Sequence, residues 1–255
     1  MSDLSSLARR ALAALDLTSL DENDTPARID ALCAAAALPQ GAPAALCVYP
    51  EFILAVRIGL ERRGLGAVRI ATVVNFPDGS SDVARAERET RRALGAGADE
   101  IDLVLPYAAL LAGDTATGAR MVAACKAACG ERVLKVILET GVLGEPEPIR
   151  RASLLAIDAG ADFIKTSTGK VAVNATPAAA EVMLEAIHER GGRVGFKAAG
   201  GIRTVADAGV YFALADGLLG ADWATPARFR LGASALLGDI RATLDGTTAA
   251  TGSGY

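Results

Sequence analysis

The residues that first invite a chemical reading run from Asp162 to Lys170, Asp-Phe-Ile-Lys-Thr-Ser-Thr-Gly-Lys. A short apolar run ends in Lys165, and three hydroxyls, Gly169 and a second lysine, Lys170, follow at once. If Phe163 and Ile164 belong to a strand, Lys165 leaves the apolar layer at the strand's end, poorly solvated and close to other cations. Both conditions lower an amine's pKa and free its lone pair for attack on a carbonyl. Gly169 and Lys170 then suit a phosphate. Read alone, the stretch fits either a Schiff-base lysine beside an anion site or an exposed lysine that merely ends a strand.

Other residue types narrow the chemistry. His188 is the only histidine, in a polar helical segment with Glu185, Glu189 and Arg190, and is expected at the surface. A zinc-dependent aldolase or hydrolase wants several imidazoles, and a Ser-His-Asp triad needs one well placed. Neither chemistry is therefore expected, and proton transfers fall to Lys, Asp, Glu, Tyr or water. Cys33, Cys47, Cys125 and Cys129 show no paired framework spacing and are expected to stay reduced. Cys125 and Cys129, four apart, share one helical face and should pack in the core. The formal net charge of −4, with Lys and Arg scattered, leaves no footprint for nucleic acid and favours a small-molecule partner. Met1 leads into Asp3, Arg9 and Arg10 without an unbroken apolar run, so neither signal peptide nor membrane span is expected, and a cytoplasmic protein is.

Strand-like and helix-like segments alternate along the whole chain. Strands are expected over 15–18, 44–49, 68–75, 101–105, 133–139, 163–165, 194–197 and 229–231, with helices before, between and after them. Thr25-Pro26 and Thr176-Pro177 read as N-caps followed by proline at the first helical position. Eight strands without a long linker favour a single (β/α)8 TIM barrel over residues 1–245, an α/β fold with an extra N-terminal helix. Residues 246–255 read as a flexible tail ending in Tyr255. A doubly wound sheet would want Gly-x-Gly-x-x-Gly after its first strand, and the chain has none there.

The segments 97–102 and 160–165 share one device, a glycine that ends a helix, then Ala-Asp, then a strand. It places Asp102 and Lys165 at corresponding strand positions. Because side chains alternate, Asp102 shares a face with Val104, while Ile101, Leu103 and Leu105 turn towards the covering helices. The same counting turns Lys165, Lys197 and Lys135 into the barrel. Buried charges are expensive unless paired. A second lysine beside Lys165 has a use, since its charge disfavours protonation of Lys165 while Asp102 exchanges protons. A purely structural ion-pair cluster remains the rival. Three glycine stretches suit an anion at the ends of successive strands: Gly169-Lys170, Gly200-Gly201-Ile202-Arg203 and Gly232-Ala233-Ser234.

These residues resemble the deoxyribose-phosphate aldolases, class I aldolases that work through a lysine Schiff base. The resemblance covers nearly the whole chain and is most specific from Asp162 to Thr176-Pro177, with Leu134 to Thr140, Gly195-Phe196-Lys197 and Gly200 to Arg203 in support. It implies a (β/α)8 barrel, often dimeric, that splits 2-deoxy-D-ribose 5-phosphate reversibly into D-glyceraldehyde 3-phosphate and acetaldehyde in deoxynucleoside catabolism, with no metal or organic cofactor. By the same resemblance Lys165 carries the imine and Asp102 with Lys197 relays protons. Asp16, Thr18, Cys47, Lys135 and Thr168 line the pocket, and Gly169, Lys170, Gly200, Gly201, Arg203, Gly232 and Ser234 hold the phosphate. Tyr255 would protonate the enamine, and a homodimer is expected.

Two departures stand out. Where the family has Lys-Pro-Ala-Gly-Gly, this chain has Lys197-Ala198-Ala199-Gly200-Gly201, which predicts a looser loop beside the relay lysine. Where a second serine is expected after Ser234, it has Ala235, which removes a phosphate hydroxyl. The rivals are a Schiff-base barrel for another aldose phosphate and a non-catalytic phospho-sugar binding barrel.

Overall fold

Eight short strands hydrogen-bond in parallel and in chain order until the eighth meets the first, closing a barrel. The computed structural model describes residues 3–247. The strands are β1 (Leu15–Thr18), β2 (Ala45–Val48), β3 (Arg69–Val74), β4 (Glu100–Val104), β5 (Val133–Ile137), β6 (Phe163–Lys165), β7 (Gly195–Ala199) and β8 (Phe229–Ala233). The helices are α1 (Asp3–Ala13), α2 (Pro26–Ala35), α3 (Ile53–Glu61), α4 (Val83–Gly95), α5 (Tyr107–Leu111), α6 (Thr115–Cys129), α7 (Thr140–Leu143), α8 (Pro146–Asp158), α9 (Pro177–Glu189), α10 (Val205–Leu219) and α11 (Leu236–Leu244).

Period-two alternation sorts the strand residues into two environments. Leu46, Ile70, Ile101, Val136, Ile164 and Phe196 face outwards and join Val56, Met121, Leu184 and Phe212 of the helices in one core. Burying a side chain of this size contributes about 1.5–3 kcal/mol. Phe212 of α10 stacks on Phe229 of β8 with ring centroids 4.4 Å apart. Cys125 and Cys129 lie in this core and are free thiols, and His188 is exposed. Inside the barrel, Ala45, Cys47, Ala71 and Val73 form a separate apolar patch on β2 and β3. The remaining strands fill the interior with charge.

One glycine makes room for that filling. A Cβ on Gly195 would lie 2.4 Å from the Phe163 ring, so β7 gives up a side chain and the ring occupies the barrel interior. The Arg230 guanidinium sits 5.7 Å from the centre of that ring.

Local signals explain several helix starts. Thr25 and Thr176 cap α2 and α9 through their side chains, each with proline next in line. Thr204 and Asp207 form a reciprocal capping box at α10. Asp114 caps α6, its side chain accepting from the Thr117 N–H. The one-turn helices α5 and α7 follow β4 and β5. β7 runs two residues past Lys197 because Ala198 and Ala199 pair with Leu231 and Gly232. Ala198 is thus a fully buried ladder residue, and the expected loosening of a loop at that position does not apply. Weak strand propensity in Ala-Ala is overridden by a neighbour on the sheet. Past the end of α11 the Thr247 N–H donates back to the Ala242 carbonyl at 2.8 Å.

Candidate active site

Barrel closure brings seven charged side chains into one connected network. Asp102 of β4 lies at its centre and is fully buried. Its Oδ1 accepts from Lys135 Nζ at 2.9 Å, and its Oδ2 accepts from both Lys165 Nζ and Lys197 Nζ at 2.8 Å. Strand register sets this up, for Asp102 pairs with Lys135 across β4 and β5, and Lys165 with Lys197 across β6 and β7. Lys197 also reaches Asp16 Oδ2 at 2.5 Å. Lys135 reaches Glu100 Oε2 at 2.5 Å and Asp16 Oδ2 at 3.8 Å. Below them, the Arg230 guanidinium donates to Asp16 at 2.7 Å and to Glu100 at 2.9 Å.

Partner counting shows which cation is least supported. Lys135, Lys197 and Arg230 each face at least two carboxylates, whereas Lys165 has one oxygen and shares it. The network holds three carboxylates against four cations, so a neutral Lys165 balances it. Burial pushes Lys165 below the ordinary lysine pKa, and the Lys197 ammonium adds to the effect while Asp102 opposes it. Burial works on Lys197 in the same sense, but Asp102 and Asp16 together hold it above the ordinary value. Burial would raise Asp102, yet Lys135, Lys165 and Lys197 keep it well below the usual carboxylate range. One lysine is thus shifted towards the free amine beside another held more firmly protonated.

Above Lys165 opens a cavity of about 640 Å³ at the C-terminal ends of the strands, where barrel enzymes place their chemistry. Lys165 is the one member of the network that lines it. Thr18, Thr168, Gly169, Lys170, Gly201, Arg203 and Ser234 line it as well. Lys170 reaches across its mouth, its Nζ donating to the Leu20 carbonyl at 2.6 Å. Arg203 is exposed, and its backbone N–H is taken by Asp207, which leaves the guanidinium as the group able to meet an anion. Gly200 lines the cavity but donates its N–H to the Gly232 carbonyl at 3.2 Å, fastening the loop after β7 to β8. Gly232 has a second task, because a Cβ there would lie 3.0 Å from Lys197 Cε. Ala235, at the N-cap of α11, also faces the cavity and supplies no side-chain cap.

Asp16, Lys135 and Cys47 lie deeper. Asp16 is locked between Lys197 and Arg230, Lys135 among three carboxylates, and Cys47 packs in the apolar patch, where burial raises its thiol pKa. Tyr255 lies outside the described residues.

A model of the DeoC/LacD family of aldolases matches residues 10–225. The chain belongs to the DeoC/LacD aldolase family. A crystal structure of a candidate deoxyribose-phosphate aldolase from Coccidioides immitis is 30% identical, with TM-score 0.79 over 94% of this chain and 87% of that one. One from Toxoplasma gondii ME49 is 25% identical, with TM-score 0.88 over 97% of this chain and 99% of that one. The tetrameric deoxyribose phosphate aldolase of Aeropyrum pernix shares the fold at 24% identity and TM-score 0.72, over 95% and 92% of the two chains. As a DeoC/LacD family member the protein is a class I aldolase, a carbon–carbon lyase.

Three groups in this DeoC/LacD site escaped the sequence reading. Glu100 precedes Asp102 by two residues, so alternation already turned it inwards. Arg230 sits in a three-residue apolar run, too short to show a period. Glu139 was grouped with the β5 strand, but the strand ends at Ile137 and Glu139 takes a left-handed conformation, φ 60° and ψ 56°. Its carboxylate binds Thr168.

Proposed function

We propose that this aldolase reversibly cleaves 2-deoxy-D-ribose 5-phosphate into D-glyceraldehyde 3-phosphate and acetaldehyde through an imine on Lys165. The observation that carries the reading is that Lys165 alone combines a lowered pKa, a place in the charged network and access to the cavity. Its free amine adds to the C1 aldehyde of the open-chain sugar and loses water to give a protonated imine. Removal of the C3 hydroxyl proton lets the C2–C3 pair flow into the imine, releasing the aldose phosphate and leaving an enamine of acetaldehyde. Protonation at C2 and hydrolysis return the amine. Asp102 bridges both amines by one oxygen and is the conduit for protons between Lys165 and the firmly protonated Lys197. Lys170, Arg203, Gly201 and Ser234 are the groups for the phosphate end, and water runs any transfer the side chains do not reach. A cytoplasmic homodimer completes the reading.

The test is to incubate the protein with acetaldehyde, reduce with borohydride and map the modified peptide. Ethylation at Lys165 is expected, and label scattered over surface lysines would sink the imine assignment. Cleavage assays on a panel of aldose phosphates then fix the substrate, and preference for another member would replace deoxyribose 5-phosphate.

Two further results follow from the geometry. In Lys197→Met, Lys165 loses a cationic neighbour and gains sole use of Asp102 Oδ2, so its pKa rises. The rate of acetaldehyde trapping rises with pH as the amine deprotonates, and that limb should move to higher pH in the variant. A limb at unchanged pH would show that Lys197 does not tune the amine. Ala235→Ser adds a hydroxyl at the anion end, while the helical backbone of Ala235, φ −69° and ψ −29°, keeps that hydroxyl from capping α11. KM for the phosphorylated sugar should fall about threefold or more, with stability unchanged. An unchanged ratio of KM for phosphorylated and unphosphorylated aldoses would contradict it.

A further inference from the structure

Glu139 and Asn75 are the two non-glycine residues with positive φ among those described. Such a conformation costs of order 1 kcal/mol or more and persists where surroundings over-determine it. Glu139 is also fully buried, and no lysine or arginine is recorded in an ion pair with it. Its backbone is clamped from both sides, because Leu138 N–H donates to the Lys165 carbonyl and Thr140 N–H to the Thr166 carbonyl, both at 2.9 Å. The left-handed turn directs its carboxylate onto a single residue. Thr168 N–H donates to Oε1 at 3.1 Å, and the Thr168 hydroxyl donates to Oε2 at 2.5 Å.

The consequence lies in the donor and acceptor count at Thr168. A carboxylate offers only acceptors, so the Thr168 proton points at Glu139. One lone pair of the same hydroxyl accepts from Lys170 N–H at 3.0 Å. The single remaining valence of Thr168 Oγ1, in the wall of the cavity, is a lone pair. A group bound there has to bring its own proton.

We infer that Glu139 is the positioning residue that turns Thr168 into an obligate acceptor, so that this point of the pocket selects a hydroxyl of the open-chain sugar. The inference rests on the imine reading of Lys165. Through Thr168, Glu139 also holds the Lys170 backbone, and the Lys170 ammonium continues the chain of bonds to Leu20 across the mouth. Glutamine cannot replace it. An amide that accepts from Thr168 N–H presents its NH2 to Oγ1, which turns the Thr168 proton into the cavity; the flipped amide sets donor against donor at Thr168 N–H.

The experiment compares Glu139→Gln, Thr168→Val and the double variant in deoxyribose 5-phosphate cleavage, alongside acetaldehyde trapping at Lys165. Each single variant should raise KM about tenfold with kcat changed less than about threefold, since the bond is made to ground and transition states alike. The double variant should be no worse than either single one, and trapping at Lys165 should proceed as in the parent. A KM for Glu139→Gln within about twofold of the parent, or penalties that multiply in the double variant, overturns the inference. If Glu139→Gln does not fold, Thr168→Val and Thr168→Ser decide it. Serine should keep the parent KM and valine should not, and a parent-like valine variant overturns it. A parent enzyme that is not trapped at Lys165 overturns the imine reading and this inference together, whereas a trapped parent with an unaffected Glu139→Gln overturns this inference alone.

Discussion

Replacing Lys165 by methionine will reduce aldol cleavage by on the order of 10⁴-fold or more while leaving the barrel about as stable as the parent. On the proposed mechanism, loss of activity follows from loss of the amine that would form the imine. Preserved stability is the sharper expectation, because removing one partner of a buried ion pair ordinarily costs about 3–5 kcal/mol. Here no charge is orphaned. Asp102 keeps Lys135 at 2.9 Å and Lys197 at 2.8 Å. Three carboxylates then face three cations, and methionine fills the volume without the desolvation that already depresses the amine. The melting temperature should stay within about 4 °C of the parent. A methionine variant that unfolds would make the lysine a structural member of the cluster, and one that still cleaves the sugar would move the chemistry to another amine.

Asp102→Ala is expected to fail in the opposite way, in stability as well as rate. The substitution removes the anion that three lysines share. Lys135 retains Glu100 and Lys197 retains Asp16, but Lys165 loses its one carboxylate. Denaturant titration should show a loss of about 3–5 kcal/mol, and cleavage should fall by on the order of 10²–10⁴-fold with the proton conduit gone. The pH dependence carries a sign. Asp102 is depressed in the folded state, so its contribution is present above the unfolded carboxylate pKa and is lost as pH falls through the lower, folded value. The parent should therefore lose stability on acidification below about pH 4, more steeply than Asp102→Ala. Equal slopes and equal stability would mean that the lysines find other partners. Asp102→Asn keeps the shape without the charge and separates packing from electrostatics, with stability expected between the two.

The contrast between these variants shows how far local sequence reaches. Alternation in 101–105, and the matching Gly-Ala-Asp lead-ins at 97 and 160, turned Asp102 and Lys165 inwards before any partner was known, because a strand surrounded by helices has only one face for a charge. The same rule placed Lys135 and Lys197, and glycine stretches after three successive strands marked the anion end. Cap chemistry at Thr25 and Thr176 set two helix starts. These are signals of period two, or of two adjacent residues, and a linear chain displays them directly.

What the chain could not display is which inward charge meets which. Lys197 is 181 residues from Asp16, and Arg230 is 130 from Glu100; only closure of β8 onto β1 and the stagger of eight strands bring them within bonding distance. That closure decides that Lys165 has the poorest support of the four cations, and so that its pKa is the one held below the ordinary lysine value. Gly232 reads in sequence as a phosphate glycine and proves also to be the space that Lys197 Cε occupies. Glu139 reads as the end of a strand, yet it is turned by the backbone of β6 onto Thr168, 29 residues away. Residue type and period determined what faces inwards; the proton states and the pairing follow from distances that exist only once the barrel is shut.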